Sequence, residues 1–89
     1  MLRWAVPVST LRYWAAVKAE AGVAEEVLVA EDLATLIAAA QVGKTDRFVT
    51  VLRRCSYVVD GDPVGGREHA AVTLTAASVV DALPPFAGG

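Results

Sequence analysis

An apolar repeat in the middle of the chain places the tightest limit on its fold. Four residues recur at the spacing i, i+3, i+4, i+7, which puts their side chains on one face of an α-helix: Leu33, Leu36, Ile37 and Ala40. Glu31 and Asp32 precede this run, where acidic side chains favour the start of a helix, and Gly43 follows it as a stop signal. A helix with one apolar face has to pack that face against another layer of the same small domain.

The segments before this helix predict a pair of strands. Residues 8–14 and 25–29 are rich in residues that favour strands, and we expect the two segments to pair as a hairpin. The run between them, residues 15–21, has strong helix propensity and ends at Gly22, a residue typical of the position after a helix.

The segments after the helix predict a second helix and shorter strands. Phe48, Val51, Leu52 and Cys55 would share one face of a helix over residues 46–54, although residues 49–51 would also suit a strand. A strand over residues 56–59 ends at a turn signal, Asp60-Gly61. The remaining expected elements are a loop from Pro63 to about His69, a weak strand or extended segment at residues 71–75 and a final strand at residues 78–83.

This order of elements predicts an α+β fold, with one main helix packed across a mixed sheet of about four or five strands. Because the first and last strands must both be buried, we expect them to pair in parallel at the sheet centre. That is the β-grasp arrangement of ubiquitin-like proteins, although the pattern alone leaves other α+β rolls open. The predicted division is an N-terminal extension (residues 1–7), a β-grasp domain (residues 8–83) and a flexible C-terminal tail (residues 84–89).

The tail is the segment most informative about function. Pro84 and Pro85 each fix φ near −65° and lack an N–H, so the last strand must stop and the chain leaves extended. Gly88 and Gly89 have no side chain, so they can enter a narrow channel that any Cβ would block. Two final glycines also occur by chance, but here they follow closely on the apolar run at residues 79–83. Such an end suits chemistry on a terminal carboxylate inside another protein's active site.

Charge and composition exclude several other classes of function. The net charge of −2 and the absence of a basic stripe argue against nucleic-acid binding. A single cysteine, Cys55, excludes an internal disulfide and a Cys-rich zinc site, and it fits a reducing compartment. No run reaches the roughly 18–20 apolar residues of a membrane span, and the first seven residues are too short for a signal peptide. We therefore expect a cytoplasmic protein without membrane or nucleic-acid partners.

The final seven residues closely resemble the C-terminus of the small, sulfur-carrying subunit of molybdopterin synthase, a MoaD-like protein of the ubiquitin-like MoaD/ThiS superfamily: Leu83, Pro84, Pro85, Phe86, Ala87, Gly88 and Gly89. Residues 12–22 resemble the family's first strand and following turn, with an aromatic-alanine pair and a final glycine. Residues 32–36 and 55–61 are similar to its helix start and its middle strand and turn. The resemblance runs from about Val8 to Gly89, and only the tail is specific.

The resemblance implies that the chain is a co-substrate subunit without an active site of its own. An E1-like enzyme using ATP would adenylate the carboxylate of Gly89, and a persulfide donor would convert it to a thiocarboxylate. The large subunit of the synthase would then receive the tail and transfer the sulfur to a pyranopterin precursor. Gly88 would leave the carbonyl open to attack. The residues implied to contact a partner are Leu83, Pro84, Pro85, Phe86 and Ala87, and no bound cofactor or metal is implied.

Three features depart from the family pattern. Ala76, Ala77 and Ser78 occupy the place of an acidic-glycine-acidic turn before the last strand, which implies a different turn geometry with the same strand register. The loop at residues 62–72 is longer than in compact members, and residues 1–7 precede the usual start.

Other polar residues give weaker signals. His69 has no cysteine or acidic residue at metal-ligand spacing, so we interpret it as an exposed loop residue. Cys55 is interpreted as a buried small hydrophobe, whose pKa the adjacent Arg53 and Arg54 could lower if the thiol were exposed. Arg12 and Lys18 could contact an acidic residue of a partner, but we interpret them as solvated cations on a strand face.

Two alternative functions remain open. The chain could carry sulfur for another pathway, such as thiamine, cysteine or thiolated tRNA synthesis. It could also be a ubiquitin-like modifier or binding module without sulfur chemistry, in which case Gly89 would form an isopeptide bond to lysine.

Overall fold

The computed structural model describes residues 7–85. Within these residues five strands form one mixed sheet, in the order β2-β1-β5-β3-β4. The strands are β1 (Val8–Tyr13), β2 (Glu25–Val29), β3 (Ser56–Val59), β4 (Asp62–Pro63) and β5 (Val79–Leu83). The helices are α1 (Ala15–Ala21), α2 (Leu33–Gln41) and α3 (Asp46–Arg53), and a 3-10 turn covers His69–Ala71.

The first and last strands pair in parallel at the centre of the sheet. Thr10 lies opposite Val79, and Tyr13 lies opposite Ala82. β2 is antiparallel to β1 on one side, and β3 is antiparallel to β5 on the other. The predicted α+β architecture and the central parallel pair are therefore confirmed. The first two strands pair as expected, with the predicted helix α1 as their connection.

The helices bury one face of this sheet. Side chains along a strand point alternately to the two faces of the sheet. In the central strands, the side chains that point into the core are those of Leu11 and Tyr13 in β1 and of Val80 and Ala82 in β5. The helical residues that pack against them with full burial are Leu33, Leu36, Ala40, Phe48 and Leu52. The apolar repeat predicted for α2 is thus the buried face of that helix, with Ile37 at its margin.

Local hydrogen bonds explain where the helices begin and end. The Asp32 side chain accepts a hydrogen bond from the Thr35 amide at 2.8 Å, and Thr45 caps α3 by accepting from the Phe48 amide at 3.1 Å. α1 ends at Gly22, whose φ of 78° lies in the left-handed region that favours glycine. These signals are local in sequence, which is why the helix bounds were predictable.

The segment before β5 takes the extended form, one of the two forms expected for it. Residues 71–75 add no strand to the sheet: after the 3-10 turn the backbone is extended at Val72, and Thr73 forms a single bridge with Asp32. In the turn before β5, Ala77 adopts a φ of 69°. Glycine takes this conformation without the cost of roughly 1 kcal/mol that a Cβ imposes. The turn therefore has a backbone suited to glycine, although alanine occupies the position.

The opposite face of the sheet carries exposed apolar residues, Val8, Val27 and Val29. None of the helices formed by residues 7–85 has the length and apolar character needed to cross a membrane. The predicted extension, apart from Pro7, and the tail residues Phe86, Ala87, Gly88 and Gly89 lie outside the described residues.

Candidate functional site at the end of the central strand

The chain approaches its tail from the middle of the sheet. β5 lies between β1 and β3, and its last residue, Leu83, is opposite Ser56 of β3. Because Tyr13 is opposite Ala82 in the parallel pair, Trp14 lies at the same end of the sheet as Leu83. We call this end the exit end. Pro84 and Pro85 follow directly, so the tail starts from a rigid central strand with no linker before it.

A groove of about 650 Å³ lies at the exit end. We call it the exit groove, and its lining residues are Trp14, Ala15, Ala16, Ser56, Leu83, Pro84 and Pro85. Most of this lining is apolar, and the two largest apolar side chains remain open, with Trp14 46% and Leu83 36% exposed. A contiguous apolar surface left open in this way is typical of a protein interaction site.

A polar cluster on the outer face of the sheet fixes one wall of the groove. Asp81 of β5 accepts two hydrogen bonds from Arg12 of β1, at 2.7 Å from Nε and 3.0 Å from Nη2. The indole Nε1 of Trp14 donates to Asp81 Oδ1 at 2.8 Å. The Arg12 guanidinium also lies 5.8 Å from the centre of the Trp14 ring. Trp14 is therefore held in place although it is half exposed.

The electrostatics of this cluster favour an ionised carboxylate. The hydrogen bonds from Arg12 outweigh the partial burial of Asp81 and hold the pKa of that carboxyl below its usual value. Two hydrogen bonds in the parallel fork geometry also give the pair a defined orientation. The cluster therefore stays charged at neutral pH and orients the Trp14 ring.

The structure brings together three of the predicted partner-binding residues, Leu83, Pro84 and Pro85. Phe86, Ala87, Gly88 and Gly89 belong to the tail outside the described residues. Sequence reasoning missed Trp14 and Asp81, and it treated Arg12 as a solvated cation. The sequence did contain a signal for this cluster. Arg12 and Trp14 are two positions apart in the predicted first strand, so they share one face of it, and the predicted parallel pairing of the first and last strands would set them near Asp81.

The other candidate residues form no catalytic constellation. Burial raises the pKa of the half-buried Cys55 thiol to about 11, so the adjacent arginines do not activate it. His69 is exposed, as predicted, and its ring meets that of Tyr57 edge to face at 5.4 Å. Between residues 7 and 85 no three His, Cys, Asp or Glu side chains come together as a possible metal site.

Comparison of the sequence with protein-family models and with curated proteins gives no match. Comparison of the structure with solved structures does give matches. The small archaeal modifier protein 1 of Methanosarcina acetivorans has a TM-score of 0.80 at 14% identity, covering 94% of this chain and 98% of that chain. The Haloferax volcanii protein HVO 2177 has a TM-score of 0.76 at 17% identity, covering 94% of this chain and 88% of that chain.

A third match is to the complex of subunits 1 and 2 of molybdopterin-converting factor from Helicobacter pylori. Its TM-score is 0.68 at 21% identity, covering 92% of this chain and 99% of that chain. These similarities show the fold: the chain has the ubiquitin-like β-grasp fold that the MoaD-like resemblance implied. The predicted fold is confirmed.

Proposed function

We propose that this chain is a sulfur carrier of molybdopterin biosynthesis, and that the carboxylate of Gly89 carries the sulfur. The observation that supports the proposal most is the origin of the tail in the central strand β5, beside an open apolar groove. The tail follows this strand directly, and its last two residues in the sequence are Gly88 and Gly89. The likeness to a complex of molybdopterin-converting factor subunits supports the same pathway.

The proposed chemistry begins with activation of a poor electrophile. In an E1-like partner, a carboxylate oxygen of Gly89 attacks the α-phosphorus of ATP, and pyrophosphate leaves. A persulfide sulfur then attacks the acyl carbon, and AMP leaves with the electrons of the broken C–O bond. A partner thiolate cleaves the resulting acyl disulfide, so that a disulfide forms on the partner and the thiocarboxylate remains on Gly89.

This chain contributes a tail that extends into the partner's active site and an acyl carbon that is open to attack. The six residues that follow Leu83, numbered 84–89, span at most about 20 Å when fully extended. Pro84 and Pro85 direct the start of that span, whereas Gly88 and Gly89 leave the acyl carbon open to attack from either side. Phe86 and Ala87 contact the partner. The acids, bases and ATP ligands of the reaction belong to the partner proteins, and this chain binds no cofactor.

The second partner in the proposal is the large subunit of molybdopterin synthase. It takes up the thiocarboxylate tail, and the sulfur passes to a pyranopterin precursor. The reactions take place in the cytoplasm, where a reducing environment keeps Cys55 as a thiol.

A second candidate function is protein modification. The observation that favours it is the likeness to the small archaeal modifier protein, at a TM-score of 0.80 against 0.68 for the converting-factor complex. In that function the activated Gly89 carbonyl forms an isopeptide bond with a lysine amine of a target protein, and no sulfur remains on the chain.

Intact mass spectrometry distinguishes the two functions. The chain is incubated with ATP, a sulfur donor and the E1-like enzyme of the same organism. A sulfur carrier gains the mass difference between one sulfur and one oxygen, whereas a modifier yields larger conjugates with target proteins. Absence of the sulfur gain, with the enzyme active on another carrier, would refute the sulfur-carrier function.

A further inference from the structure

Three cations among the described residues have no carboxylate partner. Four cations of the described residues lie within 3.5 Å of a carboxylate: Arg12, Lys44, Arg47 and Arg67. The other three in residues 7–85 are Lys18, Arg53 and Arg54, which are exposed and have no carboxylate within 4.0 Å there. Since their charge is not neutralised within this part of the chain, it is available to another molecule.

The chain path places Arg53 and Arg54 close to the exit groove, and Lys18 lines a neighbouring groove that shares Ala15 with it. Arg53 ends α3 and Arg54 follows it as the C-cap. Arg54 precedes the groove residue Ser56 by two positions, a span of at most about 7 Å. Lys18 lies one helical turn after Ala15, another groove residue, and α1 packs against α3.

Much of the unpaired acidic charge lies at the opposite end of the sheet. Asp60 accepts a hydrogen bond at 2.8 Å from the amide of Val79, which begins β5. Glu31 and Asp32 follow Ala30, whose amide donates to the carbonyl of Pro7 at the start of β1. Among residues 7–85, Glu25 is an unpaired acidic residue at the exit end, and it lies opposite Arg12 in the β1–β2 pairing. Asp60, Glu31 and Asp32 therefore do not offset the charge of Arg53 and Arg54 locally, although the net charge of the chain is −2.

We propose that Arg53 and Arg54, together with the exit groove, form a docking surface for an acidic patch on the activating partner. This inference rests on the proposed function, and it adds the chemistry of the partner's surface. An apolar side chain of the partner fills the groove between Trp14 and Leu83, and neighbouring carboxylates pair with the two arginines. Arginine suits this role because its planar guanidinium binds a carboxylate through two parallel hydrogen bonds.

The position of Arg53 and Arg54 would keep a docked partner close to the C-terminal tail. A partner held at the exit end lies within the reach of the tail, about 20 Å at full extension. Complementary charge at the rim of an interface also steers encounter and makes the association rate depend on salt. The docking surface therefore orients the partner before the tail enters its active site.

The test is equilibrium binding of the purified chain to the purified E1-like enzyme of the same organism, at low and at high salt. The variant Arg53→Ala with Arg54→Ala should bind about 10-fold more weakly at low salt and lose most of its salt dependence. The matched control, Thr35→Glu with Ala38→Glu, changes the net charge by the same amount at exposed positions of α2. It should bind within about 2-fold of the wild type. Thermal unfolding of both variants checks that they fold.

Each outcome decides the proposal. Unchanged binding of the arginine variant, equal weakening of both variants or no binding of the wild type overturns the docking surface. Arginine-dependent binding without any sulfur gain by mass supports the docking surface and refutes the sulfur-carrier function. Sulfur gain together with binding that does not depend on the arginines supports the sulfur-carrier function and overturns the docking surface.

Discussion

Arg12 and Asp81 are 69 residues apart in the sequence, and they meet across the parallel pairing of β1 with β5 through hydrogen bonds of 2.7 and 3.0 Å. The pair joins the first strand to the last, two positions before β5 ends at Leu83. Through its hydrogen bond with Trp14, Asp81 also orients the largest exposed side chain of the exit groove. The contact therefore links the stability of the sheet to the shape of the surface beside the tail.

Replacing Asp81 with asparagine should lower both stability and order at the exit groove. The pKa of Asp81 is held down by Arg12, so its stabilising contribution is full above the unfolded pKa and is lost as pH falls through the folded value. Asp81→Asn should cost about 1 kcal/mol at neutral pH, discounted because Arg12 is half exposed, and the difference should vanish in strong acid. Denaturant unfolding at several pH values measures this.

Trp14 fluorescence gives a second readout of the same substitution. In a Trp4→Phe background the emission reports Trp14 alone, and Asp81→Asn should shift it to longer wavelength because the indole becomes more solvated. An unchanged spectrum together with unchanged stability would show that Asp81 does not orient the ring.

A second ion pair supports the core from the other side. Lys44 donates to Glu26 at 2.8 Å, and Tyr13 donates to the same carboxylate. Burial alone would raise the pKa of Glu26, but the hydrogen bonds from Lys44 and Tyr13 outweigh it and lower that pKa.

Lys44→Met should therefore destabilise the fold by about 1–2 kcal/mol at neutral pH, because it leaves a half-buried carboxylate with one fewer donor. The loss should shrink as pH falls and Glu26 becomes protonated. Urea unfolding at neutral and acid pH tests this, and a loss that grows toward acid would contradict it.

Two buried serines should respond in opposite directions to the same substitution. Ser9 is 1% exposed, and its hydroxyl has no hydrogen-bond partner among the described residues. Ser78 is 3% exposed, and its hydroxyl accepts from the Thr75 amide at 3.0 Å. Ser9→Ala should raise the free energy of unfolding by about 1 kcal/mol, and Ser78→Ala should lower it by a similar amount. Thermal unfolding compares them, and destabilisation by Ser9→Ala would mean that the hydroxyl is satisfied.

The tail should matter for function and not for folding. Deletion of Gly88 and Gly89 should abolish sulfur loading and leave the unfolding temperature unchanged.

Phe86→Ala should weaken binding to the partner with little change in stability. Val42→Ala is a suitable control, since Val42 is 78% exposed at the end of α2 and should affect neither property. A large loss of stability in Phe86→Ala would place that ring in the core.

Local signals explain why most of the fold was predictable. The α2 repeat, the Asp32 cap and the Gly22 stop each act within a few residues, and each lies where the pattern placed it. The parallel pairing of β1 with β5 was also predictable, because both strands are apolar enough to require burial at the sheet centre. The helix features depend on short-range backbone and side-chain preferences, whereas the strand pairing follows from the burial that both strands require.

The features that were missed depend on contacts distant in sequence or on tolerated strain. The bond from Trp14 to Asp81 joins residues 67 apart, so no short window of sequence contains it. Ala77 adopts a positive φ that its residue type disfavours, so the surrounding turn imposes it. The sequence left residues 71–75 open between a strand and an extended segment, and the structure shows the extended form, with a single bridge from Thr73 to Asp32 and no place in the sheet.

The most direct test of the central claim is to locate the sulfur after the loading reaction. Trypsin cleavage after Arg54 and Arg67 separates Cys55, in the peptide of residues 55–67, from Gly89, in the peptide of residues 68–89. We predict that the second peptide alone changes mass, with one oxygen replaced by one sulfur at Gly89. Sulfur added to the Cys55 peptide, or none on either peptide, would contradict the claim that Gly89 carries it.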